Sequence, residues 1–232
     1  MLVHVEIEAR AADAIARIFP AQRAVMEHEP SGLETSLSGI AAALRQMYTV
    51  LERMPERCDP FIYFHRVRPY LYGWKDQPSL PQGLVYEGVA AYSDRPQKFR
   101  GETGAQSSII PALDAALGIE HQGGPLRAYL AEMRDYMPAK HRAFIEAVER
   151  SPSIRNYVIE RRQSCPSLRD AYNECVHWIE RFRTMHFDYA NRYVHQQSQR
   201  ASANRPDIGT GGTPFMPYLK KHVDETAAHM ID

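Results

Sequence analysis

The chain has 232 residues, and its 28 lysine and arginine residues balance its 28 aspartate and glutamate residues, so its formal net charge is zero. This length can bury one sizeable hydrophobic core, and the lack of a basic excess argues against nucleic-acid binding. No apolar run approaches the roughly 20 residues that a membrane span needs. The first apolar turns contain acidic residues and follow no basic region, which is not the pattern of a signal peptide.

The three cysteines, Cys58, Cys165 and Cys175, are widely spaced and form no C-x-x-C pair. This spacing favours neither a zinc site nor a disulfide framework, and it is typical of a protein of the reducing cytoplasm. The C-x-x-C-H motif that attaches haem covalently does not occur either, so any haem would be bound non-covalently.

Apolar residues recur with helical spacing along most of the chain, and no segment has the alternation of a strand. We therefore predict an all-α fold in one domain, 1–232. Pro20 should end the first helix, Ser31 should cap the second, and Pro69 should kink or end the third just past Arg68. The expected helices cover residues 2–19, 31–54, 59–68, 104–119, 126–136, 138–149, 154–161, 168–195 and 214–230.

Two segments lack the helical period. Residues 73–103 are interrupted repeatedly by proline and glycine, and a loop of this length in a compact domain usually has a function. Residues 196–213 begin with an almost entirely polar stretch, which predicts a mobile segment.

The most informative pattern is the apolar stripe of the helix at 168–195, whose positions are three or four residues apart over roughly seven turns. The stripe positions are Leu168, Tyr172, Cys175, Ile179, Phe182, His186, Tyr189 and Tyr193. His186 is the exception among apolar and aromatic residues, and a buried imidazole needs partners for its nitrogens. Two interpretations remain open: a core histidine bonded to a backbone carbonyl, or a ligand of a buried metal or haem iron.

Arg68 lies among aromatic residues, with Tyr63, Phe64 and Trp74 close by in the sequence. An arginine in such surroundings can be a structural residue stacked on the rings. It can also be a bidentate clamp for the carboxylate of a substrate beside an aromatic wall. The sequence pattern alone leaves both interpretations open.

A glycine run at 209–212 leads into Thr213 and Pro214, which are favourable residues for the start of a helix. The run can be a flexible connector. It can also be an anion site, because the free N–H groups and the dipole of a helix N-terminus attract a carboxylate.

Six separated motifs occur in a fixed order along the chain. They are F-x-x-x-R-P-x-L-x-G-W-K from Phe64, G-L-V-Y-E-G from Gly83, G-E-T-G-A-Q-S-S from Gly101, R-D-Y-M-P from Arg134, F-R-x-x-H from Phe182 and G-T-G-G-T from Gly209. In this order they resemble the haem domain of the indoleamine 2,3-dioxygenase family. The resemblance covers essentially the whole chain and implies a multi-helix bundle that encloses a b-type haem.

The resemblance implies roles for four residues at the haem. His186 would be the proximal ligand of the iron. Arg183, one turn before it, would lie near a haem propionate, with Asp114 supporting it. Tyr63 is likewise expected to contact the cofactor.

On the substrate side, the resemblance implies that Arg68 binds the carboxylate of the substrate and that Phe64 stacks against its indole. The loop 73–103 would line the pocket, and the loop 196–213 would close over the amino-acid end of the substrate. The residues of the second loop expected to contact the substrate are Gly211, Gly212 and Thr213.

The distal side would be lined by Thr103 and Gly104, and it departs from the family pattern at His4. The animal enzymes have a serine at that position, whereas His4 resembles the distal histidine of tryptophan 2,3-dioxygenases, which faces the indole N–H. Family enzymes also carry a smaller N-terminal domain ahead of this region. We therefore expect a missing upstream segment or a homodimer to cover the apolar face of the first helix.

The reaction that the resemblance implies is insertion of both atoms of O₂ across the indole C2–C3 bond of L-tryptophan, which gives N-formylkynurenine. The cofactor supplies the chemistry, and the protein supplies orientation and a dry pocket. Two alternatives stay open. One is a haem-binding protein or sensor with little turnover, and the other is a related haem enzyme that acts on another indole or aromatic amino acid.

Overall fold

The computed structural model describes residues 2–123, 125–199 and 215–232, apart from the side chains of residues 125 and 126. Within these ranges the regular structure is helical, with one isolated bridge between Leu84 and Gln97, which confirms the predicted all-α class. The α-helices are α1 (Leu2–Met26), α2 (Pro30–Glu52), α3 (Met54–Arg57), α4 (Pro60–Ile62), α5 (Ile109–Leu117), α6 (Pro125–Arg134), α7 (Ala139–Arg150), α8 (Ile154–Arg161), α9 (Pro166–Ala190), α10 (Gln196–Ser198) and α11 (Phe215–Ala227). In the described part of the chain, no helix combines the length and the apolar character needed to cross a membrane.

The predicted roles of Pro20 and Ser31 at helix boundaries are wrong. Helix α1 continues through Pro20, and α2 begins at Pro30, so Ser31 lies inside its first turn and does not cap it. The residues of α1 beyond the proline are largely buried: Ala21, Gln22, Ala24 and Val25. Gln22 Nε2 also donates to the carbonyl oxygen of Val148 at 2.9 Å. Burial therefore outweighs the local cost of a proline inside a helix, about 3 kcal/mol.

The third helix begins where the sequence predicts. The carboxylate of Asp59 caps it by accepting a hydrogen bond from the Ile62 amide at 2.9 Å. The chain then widens into a π-helical turn, Tyr63–Val67, and tightens into a 3₁₀ turn, Arg68–Leu71, around Pro69. Such local changes of helical pitch are frequent at functional sites.

The helix predicted at 104–119 is shorter than expected, because a 3₁₀ turn at Gly104–Gln106 precedes α5 and Gly118 ends it in the left-handed conformation. The long helix predicted at 168–195 is present as α9 with a π-helical turn directly after it, Asn191–His195. Its predicted stripe is largely buried at Leu168, Tyr172, Cys175, Ile179 and Tyr193.

The chain divides into two compact units. The first comprises Met1–Arg57, Ala105–His186 and Leu219–Asp232, and the second comprises Cys58–Gly104 and Phe187–Tyr218. The hydrophobic core of the first unit is built by α1, α2, α5, α7, α8 and α9, and α1 packs along α2. Inside this core the Tyr172 hydroxyl donates to the carbonyl oxygen of Leu117 at 2.7 Å, which joins α9 to α5.

In the second unit, the loop 73–103 folds back on itself through its own backbone. The amides of Trp74 and Lys75 both donate to the Phe99 carbonyl oxygen, at 2.8 and 3.0 Å. Leu84 and Gln97 exchange two backbone hydrogen bonds, of 3.0 and 2.8 Å. The start and the end of the loop are therefore held together.

Two glycines of the sequence motifs allow these close approaches. A Cβ added at Gly73 would lie 2.2 Å from the amide nitrogen of Gly101. A Cβ at Gly83, where φ is 85°, would lie 2.1 Å from the carbonyl oxygen of Gln97. Both contacts are with backbone atoms, which cannot move aside as a flexible side chain can.

We predict that Gly73→Ala lowers the free energy of unfolding by about 1–3 kcal/mol, because the methyl group overlaps backbone atoms. Gly104→Ala is the matched control. Among the described residues no atom lies within 4 Å of a Cβ at that position, so we expect a change below about 0.5 kcal/mol. Urea unfolding followed by circular dichroism measures both variants, and equal stabilities for the two would contradict this account of Gly73.

Candidate functional site

His186, the residue singled out by the stripe of α9, combines exposure with a strongly lowered pKa. Its side chain is exposed, yet burial lowers the pKa of the imidazole to about 4, and the charges of His4 and Arg183 lower it further. The protein atoms around the ring therefore disfavour its charged form, although part of the residue is accessible to solvent. His186 is therefore a neutral imidazole at physiological pH.

The nitrogens of His186 have no hydrogen bond to any protein group in the described part of the chain. This differs from a core histidine bonded to a backbone carbonyl, which was one of the two interpretations of the sequence. A neutral imidazole whose nitrogens have no hydrogen bond to described protein groups has the donor properties that a metal ion requires. Because its charge lowers the pKa of His186, His4 of α1 lies in the same electrostatic environment.

Arg183 and Asp114, which the family resemblance pairs, are in direct contact. Arg183 Nη2 donates to Asp114 Oδ2 at 2.6 Å, and Nη1 donates to the hydroxyl of Thr226. Burial by itself raises the pKa of Asp114, but the Arg183 charge and the hydrogen bond from His121 lower it to below its ordinary value. Asp114 is therefore ionised, and the pair is a buried salt bridge one turn before His186.

The sequence predicted no role for three residues near this salt bridge, which are His121, Glu225 and His222. His121 Nδ1 lies 2.7 Å from Glu225 Oε2, and its ring stacks on that of His222 with centroids 4.3 Å apart. Burial lowers the pKa of His222 to about 3, and the Arg183 charge contributes to this shift. No local motif could have revealed the cluster, because His121 and Glu225 are 104 residues apart in the chain.

In the second unit, Phe64 and Arg68 are both almost fully buried and in contact. The Arg68 guanidinium carbon lies 5.4 Å from the centroid of the Phe64 ring and 4.9 Å from that of Tyr72, and Arg68 also donates to the Tyr72 hydroxyl. Burial lowers the pKa of Arg68, but arginine remains protonated in proteins. Arg68, which directly follows the π-helical turn, is thus a desolvated cation packed on aromatic rings.

The remaining predicted residues of the second unit are less constrained. Tyr63 packs edge-on against Tyr193 with ring centroids 6.0 Å apart, and burial raises its pKa. Thr103 is half-buried and Gly104 is exposed at the end of the loop 73–103. Three predicted substrate contacts, and the loop 196–213 from residue 200 onward, lie outside the described residues: Gly211, Gly212 and Thr213.

The described residues limit the kind of metal site that fits this chain. Among them, no group of three or more histidine, cysteine, aspartate or glutamate side chains could hold a metal ion. A haem iron takes four ligands from its macrocycle and needs only one from the protein. The unbonded, neutral imidazole of His186 and the buried cation of Arg183 on the same helix fit that requirement.

Comparison with known proteins identifies the class to which this helical site belongs. The sequence matches the model of the family described as indoleamine 2,3-dioxygenase over residues 1–229. Indoleamine 2,3-dioxygenase 1 of Rattus norvegicus is 39% identical over 241 residues, which cover 99% of this chain and 58% of the relative. The chain therefore belongs to the indoleamine 2,3-dioxygenase family, as its six motifs predicted.

Two further relatives span the family more widely. Indoleamine 2,3-dioxygenase 2 of Homo sapiens is 34% identical over 244 residues, covering 100% of this chain and 58% of the relative. The 6-hydroxytryptophan 2,3-dioxygenase of Fusarium equiseti is 33% identical over 236 residues, covering 94% of this chain and 57% of the relative. The chain thus spans less than two thirds of the length of these curated relatives.

We predict that the free energy of unfolding of the protein falls as the pH decreases from about 6.5 towards 3, partly because of His222. An unfolded histidine binds a proton near pH 6.5, whereas folded His222, with its pKa of about 3, does not. Acid therefore favours the unfolded state over this range, by up to about 1.4 kcal/mol per pH unit for one such group.

The variant His222→Gln should reduce this pH dependence, which urea unfolding at pH 5 and pH 7 measures. The exposed histidine of α9, His177, provides the matched control, and His177→Gln should leave the dependence as in the parent. A pH dependence unchanged by His222→Gln would show that this ring titrates normally in the folded protein.

Proposed function

We propose that this chain carries the haem site of a dioxygenase that inserts O₂ across the indole C2–C3 bond of L-tryptophan or a related indole. The observation that supports this most strongly is His186. Its imidazole is neutral, accessible and unbonded to protein among the described residues, and it lies on the same helix as a buried arginine. The family to which the chain belongs supplies the reaction class.

In this proposal the haem is b-type and is held by residues of the first unit. Tyr63 is proposed as a cofactor contact from the family resemblance alone. His186 would ligate the iron as a neutral imidazole, and its lowered pKa keeps protons from competing with the iron. Arg183, fixed by Asp114, would pair with a propionate. When bound, the haem supplies the binding and activation of O₂.

The residues of the second unit are proposed to bind the substrate. Arg68 is a desolvated cation, and a charge in a poorly hydrated site attracts a carboxylate more strongly than one in water does. Phe64, on which Arg68 packs, offers an aromatic surface for the indole ring. Gly211, Gly212 and Thr213 lie outside the described residues and are proposed, from the sequence motif and the family resemblance, to contact the amino-acid end of the substrate.

The distal residues are proposed to orient the indole and exclude water. His4 is proposed to face the indole N–H of the substrate. Only the neutral form of its imidazole could accept that hydrogen, because the charged form donates from both nitrogens. Thr103 and Gly104 are proposed, from the family resemblance, to line the pocket. A dry site matters because water competes with the reaction between activated oxygen and the substrate.

The chemical class of the substrate is proposed as tryptophan or a related indole that carries a carboxylate. One relative is named for 6-hydroxytryptophan, so relatives of this chain differ in the substituents of the indole ring. O₂ is the second substrate. The cytoplasm is the proposed location, because the widely spaced cysteines are all free among the described residues.

We predict that His186→Ala abolishes stoichiometric haem binding while helix content is retained. The exposed histidine His177 of the same helix provides the control, and His177→Ala should bind one haem per chain, as the parent does. Absorption spectra of the ferrous protein measure both variants. A normal five-coordinate ferrous spectrum in His186→Ala would show that another residue ligates the iron.

We predict that Arg68→Ala weakens the binding of L-tryptophan by about 1.5–3 kcal/mol, the typical contribution of a hydrogen bond to a charged group. Indole, which has no carboxylate, should bind the variant and the parent equally. Tyr72→Phe removes the hydroxyl that Arg68 contacts and keeps the guanidinium, so it should bind tryptophan almost as the parent does. Unchanged tryptophan affinity in a folded Arg68→Ala would assign Arg68 a structural role.

A further inference from the structure

We infer that His121 and Glu225 are positioning residues, which connect the C-terminal helix α11 to the Arg183–Asp114 salt bridge and so fix the orientation of the Arg183 guanidinium. The effect of this orientation on the haem rests on the proposed function. The connection itself is a property of the first unit and can be tested without cofactor.

The connection is a continuous series of side chains from α9 to α11. Asp114 Oδ2 accepts from Arg183 Nη2 at 2.6 Å and lies 3.3 Å from His121 Nε2. His121 Nδ1 lies 2.7 Å from Glu225 Oε2. These side chains are each at most 12% exposed, so water competes little for their hydrogen bonds.

His121 maintains the connection in either protonation state. With a proton on Nδ1, the ring donates to Glu225 Oε2. Its Nε2 then either carries a second proton and donates to Asp114, or accepts from Arg183 Nη2 at 3.4 Å. Both arrangements join Glu225 of α11 to the salt bridge, so the inference does not depend on the charge of the ring.

Helix α11 also reaches Arg183 directly through the residue after Glu225. The hydroxyl of Thr226 accepts from Arg183 Nη1 and donates to the backbone carbonyl of His222 at 2.7 Å. Both terminal nitrogens of the guanidinium are thus held by groups of α11, one directly and one through Asp114 and His121. Two anchors determine the plane of a guanidinium, whereas one anchor leaves it free to rotate.

His222 limits the charge of the cluster. Its ring stacks on His121, and its Nε2 is buried without a hydrogen-bond partner among the described residues. Burial and the Arg183 charge lower its pKa to about 3, so it adds no second positive charge beside the guanidinium. Other charged groups that face the cluster are Asp114, which pairs with Arg183, and Lys221, whose ammonium lies 3.4 Å from Glu225 Oε1.

The end of the chain has a separate anchor that provides a matched control. Asn173 Nδ2 donates to the carbonyl oxygen of Ile231 at 2.8 Å, and the Ile231 amide donates to Asn173 Oδ1 at 2.9 Å. Asn173→Ala therefore loosens the segment after α11 without removing any member of the His121–Glu225 connection. If His121 and Glu225 only attached α11 to the rest of the unit, Asn173→Ala would have the same consequences as loss of either residue.

The first readout is the Arg183 Nη–H signal in nitrogen-15 NMR spectra of the protein without haem, because the terminal nitrogens donate to Thr226 and Asp114. The signal is assigned by its loss in Arg183→Lys. His121→Phe keeps a ring that can stack on His222 but loses the contacts with Asp114 and Glu225. Glu225→Ala removes the carboxylate to which His121 is joined on α11. We expect exchange of these protons with water to become about tenfold faster in both variants, as for loss of a hydrogen bond to a charged group. Glu225→Gln, which retains an oxygen acceptor, and Asn173→Ala should resemble the parent.

The second readout is haem dissociation, together with the iron–histidine vibration of the ferrous protein. We expect haem dissociation to become about tenfold faster in His121→Phe and Glu225→Ala, and the vibration to shift. Both quantities should stay unchanged in the controls Glu225→Gln and Asn173→Ala. If His121→Phe does not fold, the result for Glu225→Ala alone tests the inference.

An unchanged Arg183 signal in the disruptive variants, or equal changes in Asn173→Ala, would overturn the inference. If the Arg183 signal changes as expected but the parent does not bind haem through His186, the inference stands and the proposed haem site fails. The two failures are therefore distinguishable.

Discussion

The desolvation of one imidazole is the constraint on which the rest of this site depends. His186 has to be neutral and accessible at once. Burial lowers the pKa of the ring to about 4, and no described protein group forms a hydrogen bond to it. The long helix α9 makes this possible, because its buried stripe fixes the helix against the core of the first unit. Arg183, one turn away on the same helix, adds positive charge that further disfavours protonation of the ring.

The two buried arginines are stabilised by different physical means, and their proposed roles differ accordingly. Arg183 is matched by a carboxylate and a hydroxyl, which fix its position. Arg68 packs on two aromatic rings, and such contacts attract a cation more weakly than a desolvated carboxylate does. Arg68 is proposed as the clamp of the substrate carboxylate, and Arg183 as the fixed partner of the cofactor.

Features set by local periodicity were predictable from the sequence, and features set by tertiary contacts were not. The stripe of α9 identified His186 because the spacing of its apolar residues survives in the folded helix. Pro20 was misjudged because burial of the next residues outweighs its local preference. The motif glycines were recognised by resemblance, but the reason for Gly73 is a backbone approach to Gly101, visible only in the fold. The link from His121 to Glu225 joins distant residues and has no sequence pattern.

The most direct test of the central claim is the fate of isotopically heavy O₂ when the haem-loaded ferrous protein is mixed with L-tryptophan. If the site is that of a dioxygenase acting on indoles, mass spectrometry should find N-formylkynurenine with both heavy oxygen atoms, because both atoms are inserted across the C2–C3 bond. A protein that binds haem through His186 but forms no N-formylkynurenine, or forms it with a single heavy atom, would contradict the account.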